Sequence, residues 1–178
     1  MKIERKWAMP NAWTFTILPI KKLLDEEYTD GSWCDPFAGK MSFHNSMYSN
    51  DLSPDSPARY HEDALTFLKS METGFFDGVL FDPPYSITQA KQHYGGRGME
   101  KLDTKPTSMK YWGDCKTEIA RITKKGGKVI CFGWNTMGIG KSRGFRMDRI
   151  LIVPHGGSKN DTLVTVEKKL PTPSKEVN

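Results

Sequence analysis

Short apolar runs recur along this chain and alternate with polar turns. Residues 78–81 are apolar throughout and indicate a buried strand. Residues 32–34 and 128–132 are further strand candidates, and residues 47–51 form a strand candidate that ends in an acid. Segments with helical spacing lie among these runs. Strands that alternate with helices predict an α/β fold with a mostly parallel sheet.

Two segments have the spacing of amphipathic helices, one in each half of the chain. Their apolar positions are Ile20, Leu23, Leu24 and Tyr28 in the first, and Trp112, Cys115, Ile119 and Ile122 in the second. We expect Gly126-Gly127 to end the second helix. Residues 149–153 and 162–166 are apolar and no helix separates them, which predicts an antiparallel hairpin.

The sequence Asp82-Pro83-Pro84-Tyr85 directly follows the run 78–81. Two consecutive prolines cannot continue a hydrogen-bonded ladder, so the strand must end there. Asp82 then offers a carboxylate, Pro83 a backbone carbonyl and Tyr85 a flat ring at a strand's carboxyl end, where open α/β sheets bind ligands. The alternative is a polyproline ligand for a partner domain. Such ligands are usually solvated, whereas this turn ends an apolar strand.

A second motif, Asp35-Pro36-Phe37-Ala38-Gly39, follows the strand candidate 32–34. A glycine in the turn after a first strand lets a ligand approach the backbone closely. An ordinary strand-to-loop turn would explain this motif if it stood alone. Between Gly39 and Asp82, however, there is room for two more strand–helix units.

The two motifs together resemble those of the amino methyltransferases, which methylate exocyclic amines, chiefly N6 of adenine and N4 of cytosine in DNA. The resemblance extends over residues 14–167. It implies a Rossmann-like class I methyltransferase fold with three αβα layers, a mostly parallel sheet and a C-terminal antiparallel hairpin. It also implies S-adenosyl-L-methionine as the cofactor, bound by the motif Asp35, Pro36, Phe37, Ala38 and Gly39.

The catalytic interpretation of Asp82, Pro83, Pro84 and Tyr85 has a chemical basis. An exocyclic base amine is a poor nucleophile because its lone pair is delocalised into the ring. Two acceptors that bind both N–H groups draw the nitrogen towards a tetrahedral shape and free the lone pair for attack on a methyl sulfonium. A base inside a duplex cannot reach such a pocket, so it must be flipped out and stacked on an aromatic ring.

Further cofactor contacts are expected outside the two motifs. Asp51 ends the second strand candidate and can accept hydrogen bonds from ribose hydroxyls. The resemblance implies that Asp63 binds the cofactor's adenine amine, with Glu62 as the neighbouring alternative; Asp63 could equally be an acid at a helix N-terminus. Phe15 and Thr16 are candidates to cover the cofactor's carboxylate end.

The chain departs from the family after Gly39, where many relatives continue with Ser-Gly-Thr and a long helix. Here Lys40 to His44 follow and Asp51 comes soon after, so the first helix must be short or irregular. Cofactor affinity is the property that this departure puts in doubt. A non-catalytic module that binds nucleic acid or a partner protein is therefore the alternative of another class.

Basic residues indicate where a polyanion could bind. The net charge is +5 and the pI about 9.0, which fits a nucleic-acid partner. The segment that follows the Asp82 turn is basic and glycine-rich, and we expect it to bind phosphates beside the target base. The alternative is a solvated loop without a binding role. The candidate nucleic-acid contacts are Lys91, Tyr94, Arg97, Lys101 and Lys105, with Lys141 and Arg143 in a second basic stretch.

Composition excludes several other classes of protein. No apolar run is long enough for a membrane span, and the N-terminus lacks the apolar stretch of a signal peptide. Cys34, Cys115 and Cys131 form neither a disulfide framework nor a zinc pair, which indicates buried thiols in a reducing cytoplasm, or a host cytoplasm if the protein is viral. The four histidines lack metal-ligand spacing, so we expect no metal.

These observations predict a single methyltransferase domain over residues 1–170, a flexible tail over 171–178 and no separate target-recognition domain. The expected reaction is methylation of N6 of a flipped-out DNA adenine, because related cytosine enzymes more often carry Ser in place of Asp82. RNA adenine and DNA cytosine N4 stay open as alternative targets. A methylated protein glutamine is a further alternative, against which the basic loop argues. The oligomeric state is open, with a dimer as one alternative.

Overall fold

The computed structural model describes residues 1–40, 48–84, 109–157 and 159–171. Its seven-stranded sheet has the order β1-β6-β7-β5-β4-β2-β3. The strands are β1 (Lys2–Arg5), β2 (Trp33–Asp35), β3 (Tyr48–Ser49), β4 (Phe76–Phe81), β5 (Thr123–Gly133), β6 (Phe145–Val153) and β7 (Thr162–Lys169). The helices are α1 (Leu18–Glu27), α2 (Ala64–Ser70) and α3 (Met109–Ile122), with short 3-10 turns at Thr14–Thr16 and Lys141–Arg143.

The sheet is parallel except around β7. The pairs β1–β6, β2–β3, β2–β4 and β4–β5 are parallel, whereas β7 runs antiparallel to both β5 and β6. The mostly parallel sheet and the C-terminal hairpin are therefore confirmed. Because β1 to β6 all run in the same direction, their carboxyl ends lie at one edge of the sheet, here called the carboxyl edge.

Apolar side chains cover both faces of the central strands. In β4, Leu80 packs with α1 on one face, and Val79 and Phe81 pack with α2 and α3 on the other. This alternation follows from the period of two in a strand, and burial on both faces is typical of parallel sheets between helices. The three-layer αβα arrangement is confirmed.

Gly78 allows β2 and β4 to pair closely. The two strands place Gly78 opposite Trp33, whose side chain is buried. A Cβ atom added at Gly78 would overlap three ring atoms of Trp33, so no larger residue fits without moving the indole. The glycine thus permits this pairing of the two strands that carry the predicted motifs.

Three sequence expectations need correction. Helix α3 ends at Ile122, and Gly126-Gly127 lie inside β5, because Thr123 already pairs with Phe76 of β4 and Lys169 donates to the carbonyls at the helix end. Strand β6 begins at Phe145, four residues earlier than predicted. Between Gly39 and Asp82, the described residues contain one strand–helix unit, β3 and α2, before β4.

The edge strand β1 had no apolar pattern to predict it. Arg149 of β6, which is largely buried, bonds Glu4 of β1 at 2.7 Å and the α1 residues Glu26 and Glu27 at 2.7 and 3.2 Å. These charge-assisted hydrogen bonds hold β1 and α1 against β6.

Among the described residues, no helix is long and apolar enough to cross a membrane.

Candidate functional site

Three carboxylates lie at the carboxyl edge, on neighbouring strands. Asp35 ends β2, Asp51 follows β3 and Asp82 follows β4, and the three strands are adjacent in the order β4-β2-β3. Because neighbouring strands are about 4.8 Å apart, the sheet brings these acids together although they are distant in sequence. The negative charges of Asp82 and Asp51 both act on Asp35.

Asp35 is buried, and its hydrogen bonding is incomplete. Its Oδ1 atom accepts a bond of 3.1 Å from the backbone N–H of Phe37, whereas Oδ2 has no hydrogen-bond partner among the described residues. Burial raises the pKa of the Asp35 carboxyl to about 8, and the charges of Asp82 and Asp51 add to this increase. Among the described residues, the site therefore holds a buried carboxyl oxygen without a hydrogen-bond donor.

Asp51 organises the backbone of the glycine turn. Its Oδ2 atom accepts from the N–H of Gly39 at 3.0 Å and its Oδ1 atom from the N–H of Ser53 at 2.8 Å. Gly39 has a φ of +58°, and a Cβ built there would have no atom within 4 Å. The positive φ, rather than lack of space, is the reason for a glycine at this position.

Asn50 is a structural residue of the site that sequence reasoning did not identify. Its side-chain N–H groups donate to the carbonyls of Pro36 and Glu62 at 3.2 and 3.0 Å, and its side-chain oxygen accepts from the Glu62 N–H at 3.0 Å. The buried amide thereby ties the Asp35 turn to the segment before α2. The only sequence signal was its position next to Asp51 at a strand end.

Asp82, Pro83 and Pro84 follow β4 as predicted, and Tyr85 lies outside the described residues. Burial raises the pKa of Asp82 to about 6, and a hydrogen bond from the Thr14 side chain opposes this increase. Asp82 is therefore mostly ionised at neutral pH, and its carboxylate lies near the Thr14 side chain of the N-terminal segment. Thr14 was not predicted, because nothing in its local sequence indicates a contact with Asp82.

A cleft opens beside these acids, between the ends of β2, β3 and β4. Apolar groups of Phe37, Leu52 and Pro84 line it, together with Asp63 and Tyr111. This lining combines apolar groups with a carboxylate and a phenol hydroxyl, a mixture that is typical of small-molecule sites.

Asp63 has a defined structural role in this cleft. It caps α2, since its Oδ1 atom accepts from the N–H of Thr66 at 3.0 Å. Its Oδ2 atom accepts from the Tyr111 hydroxyl at 2.7 Å, which links the beginnings of α2 and α3. The contact of Asp63 with a cofactor amine stays a prediction, as does the alternative at Glu62, which is exposed beside it. Tyr111 had no sequence signal for this contact.

The N-terminal candidates Phe15 and Thr16 lie in the turn that carries Thr14. The Phe15 ring packs on Phe132 of β5, with ring centroids 5.1 Å apart, and is partly buried. Thr16 is exposed, and its hydroxyl donates to the Trp13 carbonyl at 2.9 Å. Their contact with a cofactor stays a prediction.

The predicted nucleic-acid contacts are only partly within the described residues. Lys91, Tyr94, Arg97, Lys101 and Lys105 lie outside them. Lys141 is exposed, whereas Arg143 donates to Gly113, Thr117 and Ile139 and so fixes the chain against α3. This stretch precedes β6 and therefore lies away from the carboxyl edge, so a contact of Arg143 with a substrate stays a prediction.

The cysteines and the acidic cluster limit the chemistry of the site. Cys34, Cys115 and Cys131 are free and buried, and burial raises the pKa of each thiol, so none is a reactive thiolate. Within the described ranges, no group of three or more His, Cys, Asp or Glu has the geometry of a metal site.

No protein-family model and no curated protein sequence matches the chain. Solved structures do match its fold. TrmN from Thermus thermophilus superposes with a TM-score of 0.57 at 17% identity, over 86% of this chain and 49% of TrmN. The chain therefore spans about half the length of that protein.

Two further solved structures match over a larger share of their own length. A SAM-dependent methyltransferase from Archaeoglobus fulgidus has a TM-score of 0.61 at 11% identity, over 85% of this chain and 92% of that one. The 1,6-didemethyltoxoflavin-N1-methyltransferase from Burkholderia thailandensis, solved with S-adenosylhomocysteine and 1,6-didemethyltoxoflavin, has a TM-score of 0.58 at 12% identity, over 85% and 76%. The chain thus has the Rossmann-like fold of SAM-dependent methyltransferases.

Proposed function

We propose that this chain is an S-adenosylmethionine-dependent methyltransferase that modifies N6 of adenine in DNA. The observation that carries the proposal is the adjacency of two features at the carboxyl edge. The Asp82-Pro83-Pro84 turn has the acceptors for an amine and follows β4. The neighbouring strand β2 ends in Asp35, whose Oδ2 atom has no hydrogen-bond partner among the described residues.

The acids of the edge fit the polar groups of the cofactor. The unpaired Oδ2 atom of Asp35 is suited to the α-ammonium group, since a buried carboxylate needs a positive partner. Asp51 lies two residues after the end of β3, where an acid can accept from ribose hydroxyls. The cleft lined by Phe37, Leu52 and Pro84 has the apolar walls that an adenine ring needs. When bound, the cofactor supplies an electrophilic methyl group on its sulfonium.

Asp82 and Pro83 would prepare the target amine. The Asp82 carboxylate accepts one N–H and the Pro83 carbonyl accepts the other, which holds the nitrogen in place and localises its lone pair. With a pKa of about 6, Asp82 is ionised at neutral pH and can also take up the proton that the nitrogen loses after methylation. Tyr85 follows in the sequence and would stack on the base.

Two arguments favour an adenine in a nucleic acid as the target. The motif has Asp where related cytosine enzymes more often have Ser, and the net charge of +5 favours a polyanionic partner. The basic residues that follow Tyr85, from Lys91 to Lys105, would contact the phosphates beside the target base. Neither argument separates DNA from RNA, so the test includes both polymers.

The test is nucleoside mass spectrometry after incubation of the protein with S-adenosylmethionine and either DNA or RNA. We expect N6-methyladenine in DNA. The matched variant is Asp82→Ala, which should lose turnover by about 100-fold or more while cofactor binding, measured by calorimetry, changes little. Normal turnover in Asp82→Ala would show that the amine is activated elsewhere.

The other outcomes are equally informative. N4-methylcytosine would keep the mechanism and reverse the choice of base, and N6-methyladenine in RNA alone would change the polymer. If neither polymer is methylated although the cofactor binds, the substrate is of another kind, such as a small heterocycle. If the cofactor does not bind either, the result favours the non-catalytic module.

A further inference from the structure

Exposed tryptophans are concentrated at the carboxyl edge, the edge that holds Asp82. Trp7 follows β1, and Trp134 directly follows β5; both strands are parallel to β4. Trp13 precedes Thr14, the residue that bonds Asp82. Trp7, Trp13 and Trp134 are 62%, 37% and 44% exposed, whereas Trp33 in the core is 1% exposed.

One methionine extends this surface, which we call the tryptophan rim and define as Trp7, Met9, Trp13 and Trp134. Met9 is 67% exposed. Four of the ten large apolar side chains that are exposed in the described part of the chain belong to the rim. Large rings and thioethers on a surface lose the benefit of burial, so their concentration beside a candidate site indicates a binding role.

The backbone around Trp13 is held in a fixed turn. The Asn11 side chain accepts from the Trp13 N–H at 3.0 Å and donates to the Thr16 hydroxyl at 2.8 Å, and this hydroxyl donates to the Trp13 carbonyl. Phe15 anchors the turn on Phe132. A rigid turn presents an aromatic side chain without the entropy loss of ordering a loop on binding.

Basic residues lie at the end of the rim next to β1 and β6, away from the acids that follow β4, β2 and β3. Arg5 and Lys6 directly precede Trp7, and Lys159 is exposed in the segment that follows β6, with Asp161 as its acidic neighbour. Indole faces that alternate with basic side chains are the pattern by which proteins bind a single nucleic-acid strand. The bases stack on the rings, and the phosphates meet the positive charges.

The rim also has a length that suits several nucleotides. Along the order β1-β6-β7-β5-β4, four strand spacings separate the strand before Trp7 from the strand before Asp82. At about 4.8 Å for each spacing, this is about 19 Å, or five to six nucleotides at the rise of a stacked strand.

We propose that the tryptophan rim binds an unpaired nucleic-acid strand on one side of the target base, so that the substrate is single-stranded at that position. This inference rests on the proposed function and specifies its substrate. Bases inside a duplex are stacked on each other and cannot reach the indole faces, whereas unpaired bases can stack on them.

The test compares binding of a labelled 12-nucleotide single strand with binding of the same sequence in a duplex, by fluorescence anisotropy at fixed salt. We expect the single strand to bind at least about tenfold more tightly. Trp7→Ala and Trp134→Ala should each weaken single-strand binding by about 5- to 100-fold, the range for loss of one stacked base, and the Phe variants should retain most of the affinity.

The matched control is Leu170→Ala. Leu170 is 41% exposed but follows β7, which runs antiparallel, so it lies at the opposite edge and its loss should not change binding. Far-ultraviolet circular dichroism checks that each variant is folded. Equal affinity for the duplex, or normal binding by both folded Trp variants, would overturn the inference even if DNA is methylated. Failure of the proposed function would appear separately, as absence of methylated nucleosides.

Discussion

The Oδ2 atom of the buried Asp35 carboxyl has no hydrogen-bond partner among the described residues. The stability of the fold should therefore depend on the protonation of this group. Its pKa in the folded protein, about 8, is above the value of an unfolded aspartate, so folding takes up a proton between these values. The stability associated with the protonated form is complete below pH 4 and is lost as the pH rises to about 8. Above pH 8, the folded protein contains a buried carboxylate whose Oδ2 atom has no hydrogen-bond partner in the described part of the chain.

We therefore expect Asp35→Asn to stabilise the cofactor-free protein at pH 8 by about 1–3 kcal/mol, the range for an unsatisfied buried group. The asparagine oxygen can still accept from Phe37, so the turn should be kept. Urea unfolding at pH 5 and pH 8 measures the effect, which should be small at pH 5. A variant that is less stable than the parent protein at pH 8 would contradict this account of Asp35.

Thr14 should act on catalysis through Asp82. Its hydrogen bond lowers the pKa of the Asp82 carboxyl, so Thr14→Val should raise that pKa by about half a unit to one unit above 6. The acidic limb of kcat/KM should then move to higher pH, because more of the acceptor is protonated. Thr14→Ser keeps the hydroxyl and should restore the parent profile. An unchanged limb in Thr14→Val would show that the contact has no effect on Asp82.

The residues that could be predicted from sequence are those with a local signal. Asp35, Asp51 and Asp82 each follow a strand candidate, and the two prolines after Asp82 must end a strand. Thr14, Asn50 and Tyr111 had no such signal, because their roles depend on contacts with residues distant in the chain. His155 also had no local signal. It is buried, and its ring nitrogens contact the Ala8 carbonyl and the Thr162 hydroxyl, so its role is structural.

At the scale of elements, α2 depends on a residue of α3. The Arg121 guanidinium donates to the carbonyls of Leu68 and Met71 at 3.0 and 2.9 Å, at the end of α2, and to Thr73 at 2.9 Å. These bonds satisfy backbone groups that a seven-residue helix leaves without partners. The beginning of the same helix positions Asp63 in the cleft.

Arg121→Met should therefore destabilise the protein by about 1–3 kcal/mol, since several charge-assisted bonds are lost and carbonyls stay unsatisfied. Thermal unfolding followed by circular dichroism measures the change. The matched control is Arg146→Met, which removes an exposed arginine that pairs with Asp148 and should have little effect. Equal losses of stability in the two variants would show that the hydrogen bonds from Arg121 to the end of α2 contribute no more than an exposed ion pair.

Elements were predictable where the apolar pattern dominates. The hairpin of β6 and β7 and the central strands β4 and β5 alternate or are continuously apolar, so their burial could be inferred. Strand β1 could not be predicted, because its four residues are mostly charged and mostly exposed. Its place is fixed by backbone pairing with β6 and by Arg149, contacts that span almost the whole chain.

At the scale of the whole molecule, the order of the strands produces the site. The order β4-β2-β3 brings Asp82, Asp35 and Asp51 to one edge of the sheet. Strand β1 lies on the other side of the sheet, and the segment that follows it runs along the same edge and places Thr14 near Asp82. The fold consequently collects three acidic side chains, one of them the incompletely bonded Asp35, and a positively charged ligand group would complement them. Cofactor binding and the stability of the entire fold should therefore be linked.

S-adenosylhomocysteine at 100 times its Kd should stabilise the fold by about 2.7 kcal/mol, which corresponds to a rise in Tm of about 5–10 °C for a chain of this size. At pH 8, Asp35→Asn should begin from a higher Tm and show a smaller rise at the same ligand concentration, because the ammonium loses its partner. Adenosine lacks the amino-acid part and is the control ligand: its smaller effect should be the same in both proteins. If S-adenosylhomocysteine has no effect on the parent protein, the non-catalytic alternative gains support. If Asp35→Asn responds as the parent does, the cofactor binds without Asp35 and its carboxyl needs another explanation.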